Sequence, residues 1–280
     1  MLAAMRPRQW SKNLLLYAGI IFAAQVDDPQ RWLQATAAFV AYCLASSAAY
    51  IYNDVRDAAH DRQHPLKRAR PIASGAVRQD RALKIAAILA TLAFAIVAPL
   101  GWGSLAYMAG FLGLQAAYSL SLKNIALIDV MAIAGLFVIR AAAGAEAVDV
   151  PISPWLLICT ALLALFLALA KRRGELMSTG SDGPGRPVLS GYSFALVDQL
   201  VSIVAACTIV AYALYTFEAR EGSAMMATIP FVVYGLFRYI QLMHREDLGE
   251  EPENVLLADV PILATIAAWA VTSGAILVLV

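Results

Sequence analysis

Nine apolar stretches, separated by polar segments that contain proline or glycine, dominate the hydropathy pattern of this 280-residue chain. Most of them are long enough to cross about 30 Å of hydrocarbon. Because a segment in lipid must satisfy its own backbone hydrogen bonds, these stretches are predicted to be helices. The pattern therefore predicts an all-α, polytopic membrane protein with about nine transmembrane helices, in a single domain covering residues 1–280. The predicted spans are approximately 13–26, 31–52, 80–99, 102–121, 125–147, 154–171, 193–217, 226–243 and 258–280.

The composition agrees with this prediction. Hydrophobic residues make up 61% of the chain and charged residues 15%, with a mean hydropathy of +0.68. These values exclude an ordinary soluble domain. The formal net charge of +1 is uninformative, and we expect no nucleic-acid partner. The three cysteines lie in apolar stretches at scattered spacing, so they are predicted to be small buried side chains without a disulfide or metal role.

The placement of the basic residues predicts the orientation. Lysine and arginine gather before the first span and in the connections after spans two, four, six and eight, whereas the opposite connections hold little beyond Arg31 and Arg220. Because cytoplasmic loops carry the excess of positive charge, nine spans with a cytoplasmic N-terminus account for this distribution. The sequence therefore predicts an integral protein of the cytoplasmic (inner) membrane, with its polar motifs on the cytoplasmic side.

An acidic motif at the end of the second span is the clearest candidate for chemistry. Asn53, Asp57 and Asp61 are spaced i, i+4, i+8, so on a helix they line one face at steps of about 6 Å. Asp54 lies within the same segment. Oxygen-bearing side chains in this arrangement favour a hard cation such as Mg²⁺, which would also bind a phosphate ligand. The alternative interpretation is a solvated helix end or an interfacial cluster of charges.

Basic residues follow the acidic motif directly. Arg62, Lys67 and Arg70 lie within ten residues of Asp61, and Pro71 fixes the chain after them. Guanidinium groups suit phosphate oxygens, and the lysine adds a point charge. These residues are therefore candidates for phosphate binding. The alternative is that they set the membrane topology or contact anionic lipid headgroups.

Two further candidates lie around the fourth and fifth spans. Tyr118 and Lys123 close the fourth span, where they are candidate substrate ligands or simple interfacial anchors. Asp129 begins the fifth span and Arg140 lies three turns further along it. An ionisable residue in lipid is costly, so Arg140 is a candidate site residue. The alternative for Arg140 is a buried ion pair with an acid on another helix.

The end of the sixth span is basic. Lys171, Arg172 and Arg173 precede Glu175, and this set is a candidate for a second site that binds phosphate and metal. The alternative is an exposed i, i+4 pair between Lys171 and Glu175, which would contribute little.

These motifs together resemble the UbiA superfamily of intramembrane prenyltransferases. The first aspartate-rich motif of that family is similar to Asn53-Asp54-x-x-Asp57-x-x-x-Asp61. The segments that follow it are similar to Lys67-x-x-Arg70-Pro71-x-x-x-Gly75 and Tyr118-x-x-x-Leu122-Lys123. The resemblance covers essentially the whole chain. It implies a UbiA-like bundle of nine helices with the active site at the cytoplasmic side.

One departure from the family narrows the resemblance. The ordinary family has a second motif of the form Asp-x-x-x-Asp after the sixth helix, where this chain has residues 171–175 with a single acid. This segment, together with residues 6–13 and 251–259, resembles the branch of polyprenyl-phosphate phosphoribosyltransferases. That branch implies transfer of 5-phosphoribose from phosphoribosyl pyrophosphate to a polyprenyl (decaprenyl) phosphate, with Mg²⁺ and release of pyrophosphate, in cell-wall arabinan precursor synthesis. The sequence leaves open whether the chain forms a homo-oligomer.

The resemblance also implies a role for each candidate residue. Mg²⁺ would be held by Asn53, Asp57 and Asp61, and the 5-phosphate by Lys171, Arg172 and Arg173, next to Glu175. The acceptor phosphate would lie near Lys12, Lys123 or Arg70. Carboxylates such as Asp54 or Asp129 would stabilise positive charge at the ribose C1. The remaining candidate substrate ligands are Arg62, Lys67, Tyr118 and Arg140.

Two other functions compete with this hypothesis. An aromatic prenyltransferase of the same superfamily would use a prenyl diphosphate donor and a quinone precursor as acceptor. It predicts paired acids after the sixth span, which this chain lacks. A transporter of phospholipid or polyprenyl phosphate predicts polar groups that continue to the outer face of the membrane.

Overall fold

The computed structural model describes residues 1–22, 27–63, 67–179, 187–218, 223–245 and 258–279. In these ranges all regular structure is helical. A 3₁₀ helix, Pro7–Tyr17, lies between the first two α-helices, and shorter 3₁₀ turns lie in several connections. The α-helices are α1 (Leu2–Met5), α2 (Ala18–Phe22), α3 (Pro29–Asp61), α4 (Gln79–Val97), α5 (Trp102–Leu120), α6 (Ile128–Ala147), α7 (Pro154–Thr179), α8 (Phe194–Glu218), α9 (Ile229–Arg245) and α10 (Val260–Leu279).

The predicted fold class is confirmed. Within the described ranges, six helical segments are long and apolar enough to cross a membrane, and Trp102–Leu120 and the more apolar Val260–Ile276 add further apolar helices. Every predicted span from the second to the ninth corresponds to one long helix.

The first predicted span differs in its local structure from the others. In place of one continuous α-helix, the structure has the 3₁₀ helix to Tyr17 and then the five-residue α2, and residues 23–26 lie outside the described part. The backbone of this first segment lies very close to that of α6. A Cβ added to Gly144 would overlap the backbone of Leu16, and one added to Gly19 would overlap the backbone of Ala145. Glycine lets two backbones approach at such points.

The chain divides into two compact units, which are described separately. Unit 1 comprises Met1–Lys123 and Gly135–Ser153. Its core is built on α3, where half of the buried positions are alanine, as expected for helices that pack closely in lipid. Tyr42 packs on Phe111 with ring centroids 5.0 Å apart, and Leu16 and Met108 are fully buried in the same cluster.

Unit 2 comprises Asn124–Ala134 and Pro154–Val280. Its core joins α7, α8 and α9 with the segment that follows residue 187. Phe166 packs edge-to-face on Tyr239 at 5.3 Å between centroids, and Val197 and Ile262 are buried in the same cluster. This core fixes the end of α7, which carries the basic segment predicted to bind phosphate.

Candidate active site

The acidic motif lies on the last turns of α3. The helix begins at Pro29, with Asp28 as its N-cap accepting a hydrogen bond from the Gln30 backbone N–H, and continues without a break to Asp61. The helical spacing on which the metal prediction depends is therefore present. Asn53 Nδ2 donates to Asp57 Oδ2 at 3.0 Å, which shows that the two side chains lie on the same face.

Lys123 bridges the two oxygen-bearing groups of this pair. Its ammonium donates to Asp57 Oδ1 at 2.5 Å and to Asn53 Oδ1 at 3.2 Å. The Lys123 side chain is 14% exposed and that of Asp57 is 30% exposed. The amide and carboxylate oxygens thus converge on one cation, and their chemistry is the one that Mg²⁺ prefers. In donor type, Asn53 and Asp57 therefore suit the predicted metal.

The other two aspartates of the motif are held by arginines. Asp54 Oδ1 accepts from Arg6 Nη2 at 2.5 Å and from Arg70 Nη1 at 3.3 Å. The same Arg70 nitrogen donates to Asp61 Oδ2 at 2.7 Å. Asp54 and Asp61 are buried, whereas the side chains of Arg6 and Arg70 are about a quarter exposed. Each aspartate therefore orients an arginine side chain that is only partly buried.

Arg6 was not among the residues predicted for the site. It lies 48 positions from Asp54 and adopts a left-handed backbone conformation with φ of +50°, between α1 and the 3₁₀ helix. Trp10 secures this segment, since its indole N–H donates to Ser47 Oγ at 3.1 Å on α3. The only signal in the sequence is the basic N-terminal segment itself, which does not indicate a partner.

The connection after α3 is fixed by a backbone contact. Arg62 Nε donates to the Ala73 carbonyl at 3.1 Å, so this arginine holds the segment that carries Arg70. Lys67 begins a short 3₁₀ turn, and Gly75 closes the segment with φ of +81°. Two further predicted ligands, Lys12 and Tyr118, are half-buried in unit 1.

In unit 2, Arg172 is the centre of a buried charge cluster. Its Nε lies 2.8 Å from Asp129 Oδ2 and its Nη1 pairs with Glu175. Arg172 and Asp129 are both fully buried, and Glu175 is 7% exposed. Two carboxylates thus share one guanidinium group away from water, an arrangement in which every member depends on the others.

Tyr192 completes this cluster and was not predicted from the sequence. Its hydroxyl donates to Asp129 Oδ1 at 2.5 Å and accepts from the Leu127 backbone N–H at 2.8 Å. Burial and the neighbouring Asp129 carboxylate raise the pKa of Tyr192 above its usual value, so the hydroxyl stays protonated. Tyr192 follows a short 3₁₀ helix in a connection, where no periodic pattern points to it.

The next arginine also has internal partners. Arg173 Nε donates to Asp198 Oδ1 at 2.7 Å, and its Nη1 donates to the Met243 carbonyl at 2.6 Å. These bonds join the end of α7 to α8 and α9. Of the predicted basic segment, only Lys171 is half-buried, while both arginines are buried.

Arg140 lies in the interior of unit 1, 3% exposed. Its Nε donates to Asn13 Oδ1 at 2.7 Å and its Nη1 to the Leu136 carbonyl at 3.0 Å. The guanidinium carbon lies 4.7 Å from the centre of the Phe111 ring and 5.3 Å from that of Phe137. The ion pair with an acid that the sequence left open is not found within the described residues.

The carboxylates of the described ranges do not form a preassembled metal cage. No group of three His, Cys, Asp or Glu side chains in those ranges is placed to hold one ion. The aspartates of α3 instead accept hydrogen bonds from Lys123, Arg6 and Arg70. An oxygen site for a metal here therefore requires Asn53 as a ligand and movement of the Lys123 ammonium.

Comparison with known proteins agrees with this architecture. The profile of the UbiA prenyltransferase family matches residues 14–258. The chain is 34% identical over 292 residues to a protein of Mycolicibacterium smegmatis named decaprenyl-phosphate phosphoribosyltransferase, covering 98% of this chain and 91% of that protein. It is 34% identical over 281 residues to the protein of the same name from Mycobacterium tuberculosis, covering 97% and 92%.

The fold is similar to that of solved structures. A UbiA homologue from Archaeoglobus fulgidus, bound to DMAPP and Mg²⁺, superposes with a TM-score of 0.75 at 17% identity, covering 97% of this chain and 98% of that one. At this identity the likeness concerns the fold alone. The resemblance seen in the sequence motifs is confirmed by the profile and by the relatives. The protein is an integral membrane transferase, and it belongs to the UbiA prenyltransferase family.

Proposed function

We propose that this protein transfers 5-phosphoribose from phosphoribosyl pyrophosphate to a polyprenyl phosphate, of which decaprenyl phosphate is an example, and releases pyrophosphate. The observation that carries the proposal is the 34% identity, over 97–98% of the chain, to proteins named decaprenyl-phosphate phosphoribosyltransferase. The reaction would supply a lipid-linked pentose precursor for cell-wall arabinan. The chemistry of the described residues supports it in three ways.

First, the α3 motif suits a diphosphate donor. Asn53 and Asp57, with Asp61, would hold Mg²⁺, which would neutralise the negative charge that grows on the departing pyrophosphate. Lys123 already lies against Asn53 and Asp57. Its ammonium would turn from these oxygens to a phosphate oxygen of the donor, keeping the local charge balanced.

Second, Arg6 and Arg70 provide oriented donors beside the motif. Both side chains are about a quarter exposed, and both guanidinium groups contact the buried Asp54. A guanidinium that is fixed on one side and open on the other binds a phosphate with little loss of conformational entropy. Asp54 therefore contributes by positioning arginines rather than by contacting the sugar.

Third, the acceptor needs no strong general base. A phosphate monoester is already ionised at neutral pH, so its oxygen can attack the ribose C1 directly. The bond from C1 to the acceptor oxygen forms as the bond from C1 to pyrophosphate breaks, and pyrophosphate leaves with the electron pair. Positive charge develops at C1 during this exchange. The half-buried Lys12 is the further candidate to hold the acceptor phosphate.

In this proposal, the arginines at the basic end of α7 are structural and the lysine binds phosphate. Arg172 and Arg173 hold the end of the helix through Asp129, Asp198 and the Met243 carbonyl. Lys171, which is half-buried, stays a proposed phosphate ligand. Asp129 then acts by fixing Arg172. The reaction would take place at the cytoplasmic face of the inner membrane, and the positive-inside distribution of charge supports this orientation.

The test is an assay with purified protein in detergent, Mg²⁺, labelled phosphoribosyl pyrophosphate and a polyprenyl phosphate. The expected result is Mg²⁺-dependent passage of label into the organic phase, abolished by EDTA and by Asp57→Ala. Asp80→Ala is the matched control, because Asp80 is an exposed carboxylate whose side-chain partner is Arg78. Absence of transfer by intact protein would overturn the proposal, and transfer from a prenyl diphosphate to an aromatic acceptor would replace it.

A further inference from the structure

Arg140 is a buried cation whose partners are all neutral. The guanidinium contacts an amide oxygen, a backbone carbonyl and the faces of two phenylalanine rings. Moving a charge out of water is costly unless an opposite charge or a full set of hydrogen bonds replaces the water. Arg172, which among the described arginines is buried to a similar degree, has two carboxylates against it. Arg140 has none among the described residues, so its charge is left without compensation.

The hydrogen-bonding capacity around Arg140 is also only partly used. A guanidinium has five N–H donors, and the contacts with Asn13 and Leu136 use two of them, leaving three without an acceptor in the described part of unit 1. Tyr42, which packs on the same Phe111 ring, has a buried hydroxyl that likewise has no partner there. Of these groups, the Tyr42 hydroxyl is fully buried without a partner, which is rare in folded proteins. These donors call for an acceptor that carries negative charge.

We propose that Arg140, together with Asn13, forms a phosphate-binding subsite inside unit 1. The ligand would be a phosphate group, either that of the polyprenyl phosphate acceptor or one belonging to phosphoribosyl pyrophosphate. A phosphate supplies the missing charge, accepts from the guanidinium fork in a bidentate manner and accepts from the Tyr42 hydroxyl. This inference rests on the proposed function for the identity of the ligand, while the uncompensated charge of Arg140 does not depend on it.

Asn13 provides the sharpest test. Its Oδ1 lies 2.7 Å from Arg140 Nε, so Asn13→Asp places a carboxylate against the guanidinium with almost no change in shape. If Arg140 is only structural, this change supplies the absent counter-charge and should leave function intact. If Arg140 binds a phosphate, the new carboxylate competes with the ligand and repels it.

The experiment measures ligand binding and kinetics for the wild type and for Asn13→Asp, Arg140→Gln and Arg140→Lys. Thermal unfolding in detergent is followed with and without farnesyl phosphate, and with and without phosphoribosyl pyrophosphate and Mg²⁺. KM and kcat are then measured for each substrate. Arg78→Gln is the control for loss of a guanidinium, because Arg78 is 81% exposed and its ion-pair partner within the described residues is Asp80.

We expect Asn13→Asp to unfold at or above the wild-type temperature while its KM for one of the two substrates rises about 10- to 100-fold, the effect of losing a hydrogen-bonded charge contact. The ligand-induced rise in unfolding temperature should shrink for the same substrate, which identifies the source of the phosphate. Arg140→Lys, which keeps the positive charge, should keep part of the ligand-induced rise in unfolding temperature. An Asn13→Asp protein that binds and turns over both substrates like the wild type would overturn the proposed subsite. That result is also the one expected if internal water, and not a phosphate, accepts from the Arg140 and Tyr42 donors. Because ligand-induced stabilisation does not need turnover, a wild type that binds either ligand without transferring it would count against the proposed function alone.

Discussion

Replacing Arg172 by methionine tests whether the basic end of α7 is structural or contacts substrate. Methionine has a similar length and no charge, so Arg172→Met leaves the carboxylates of Asp129 and Glu175 buried without their guanidinium. Removing one partner of a buried ion pair costs about 3–5 kcal/mol. Tyr192 still donates to Asp129. We therefore expect Arg172→Met to lower the free energy of unfolding by about 3 kcal/mol, near the lower end of that range.

The coupling between the charges can be measured with a double-mutant cycle. Asp129→Asn removes the charge and keeps an oxygen that accepts from Tyr192. The double variant Arg172→Met with Asp129→Asn should therefore be more stable than Arg172→Met alone, with a coupling energy of about 2 kcal/mol. Unfolding in mixed micelles with increasing SDS, followed by tryptophan fluorescence, gives the free energies. Arg78→Met, which breaks the exposed pair with Asp80, should change stability by less than about 1 kcal/mol.

Kinetics separate the structural role of Arg172 from a role in substrate binding. At a temperature where Arg172→Met stays folded, the KM for phosphoribosyl pyrophosphate should change little. A variant that unfolds like the wild type but whose KM rises about tenfold or more would refute the argument, because it would show that the guanidinium is held for the donor.

Three further predictions concern other contacts. Asp57→Ala should lower the transfer rate about 100-fold or more, because a metal ligand is lost. The free energy of unfolding should change by less than about 1 kcal/mol, because the Asp57 side chain is 30% exposed. A variant with the wild-type rate would contradict the metal site. Tyr192→Phe should lower the free energy of unfolding by about 1–3 kcal/mol, since the Leu127 N–H loses its acceptor. Because the pKa of Tyr192 is raised in the folded protein, the stabilisation that its hydroxyl provides should be constant below about pH 10 and decline above it. The hydrogen bond from Arg238 lowers the pKa of Asp259, so its contribution to stability should be present above about pH 4 and decline as the pH falls further; Asp259→Asn should lack that acid-side decline in unfolding experiments between pH 3 and 6.

The fold class was readable from the sequence because the solvent imposes it. A long apolar stretch in lipid has to be helical, and the second to ninth predicted spans each contain one long helix. The motif on α3 was predicted for the same reason, since side chains at i and i+4 share a face on any helix. The first span was predicted less well, because its 3₁₀ conformation accompanies the close contacts of Gly19 and Gly144 across the packed unit.

The partners of the charged residues could not be predicted in this way. Asp57 lies 66 residues from Lys123, Asp129 lies 63 residues from Tyr192, and Asn13 lies 127 residues from Arg140. Each pairing depends on which helix faces meet and at what depth, and neither follows from a local period. The sequence by itself determined the helices, the acidic motif and the positions of the charges. Only the tertiary structure decided that Arg172 is compensated by two carboxylates and that Arg140 meets none among the described residues, because compensation of a buried charge is a property of the packed interior.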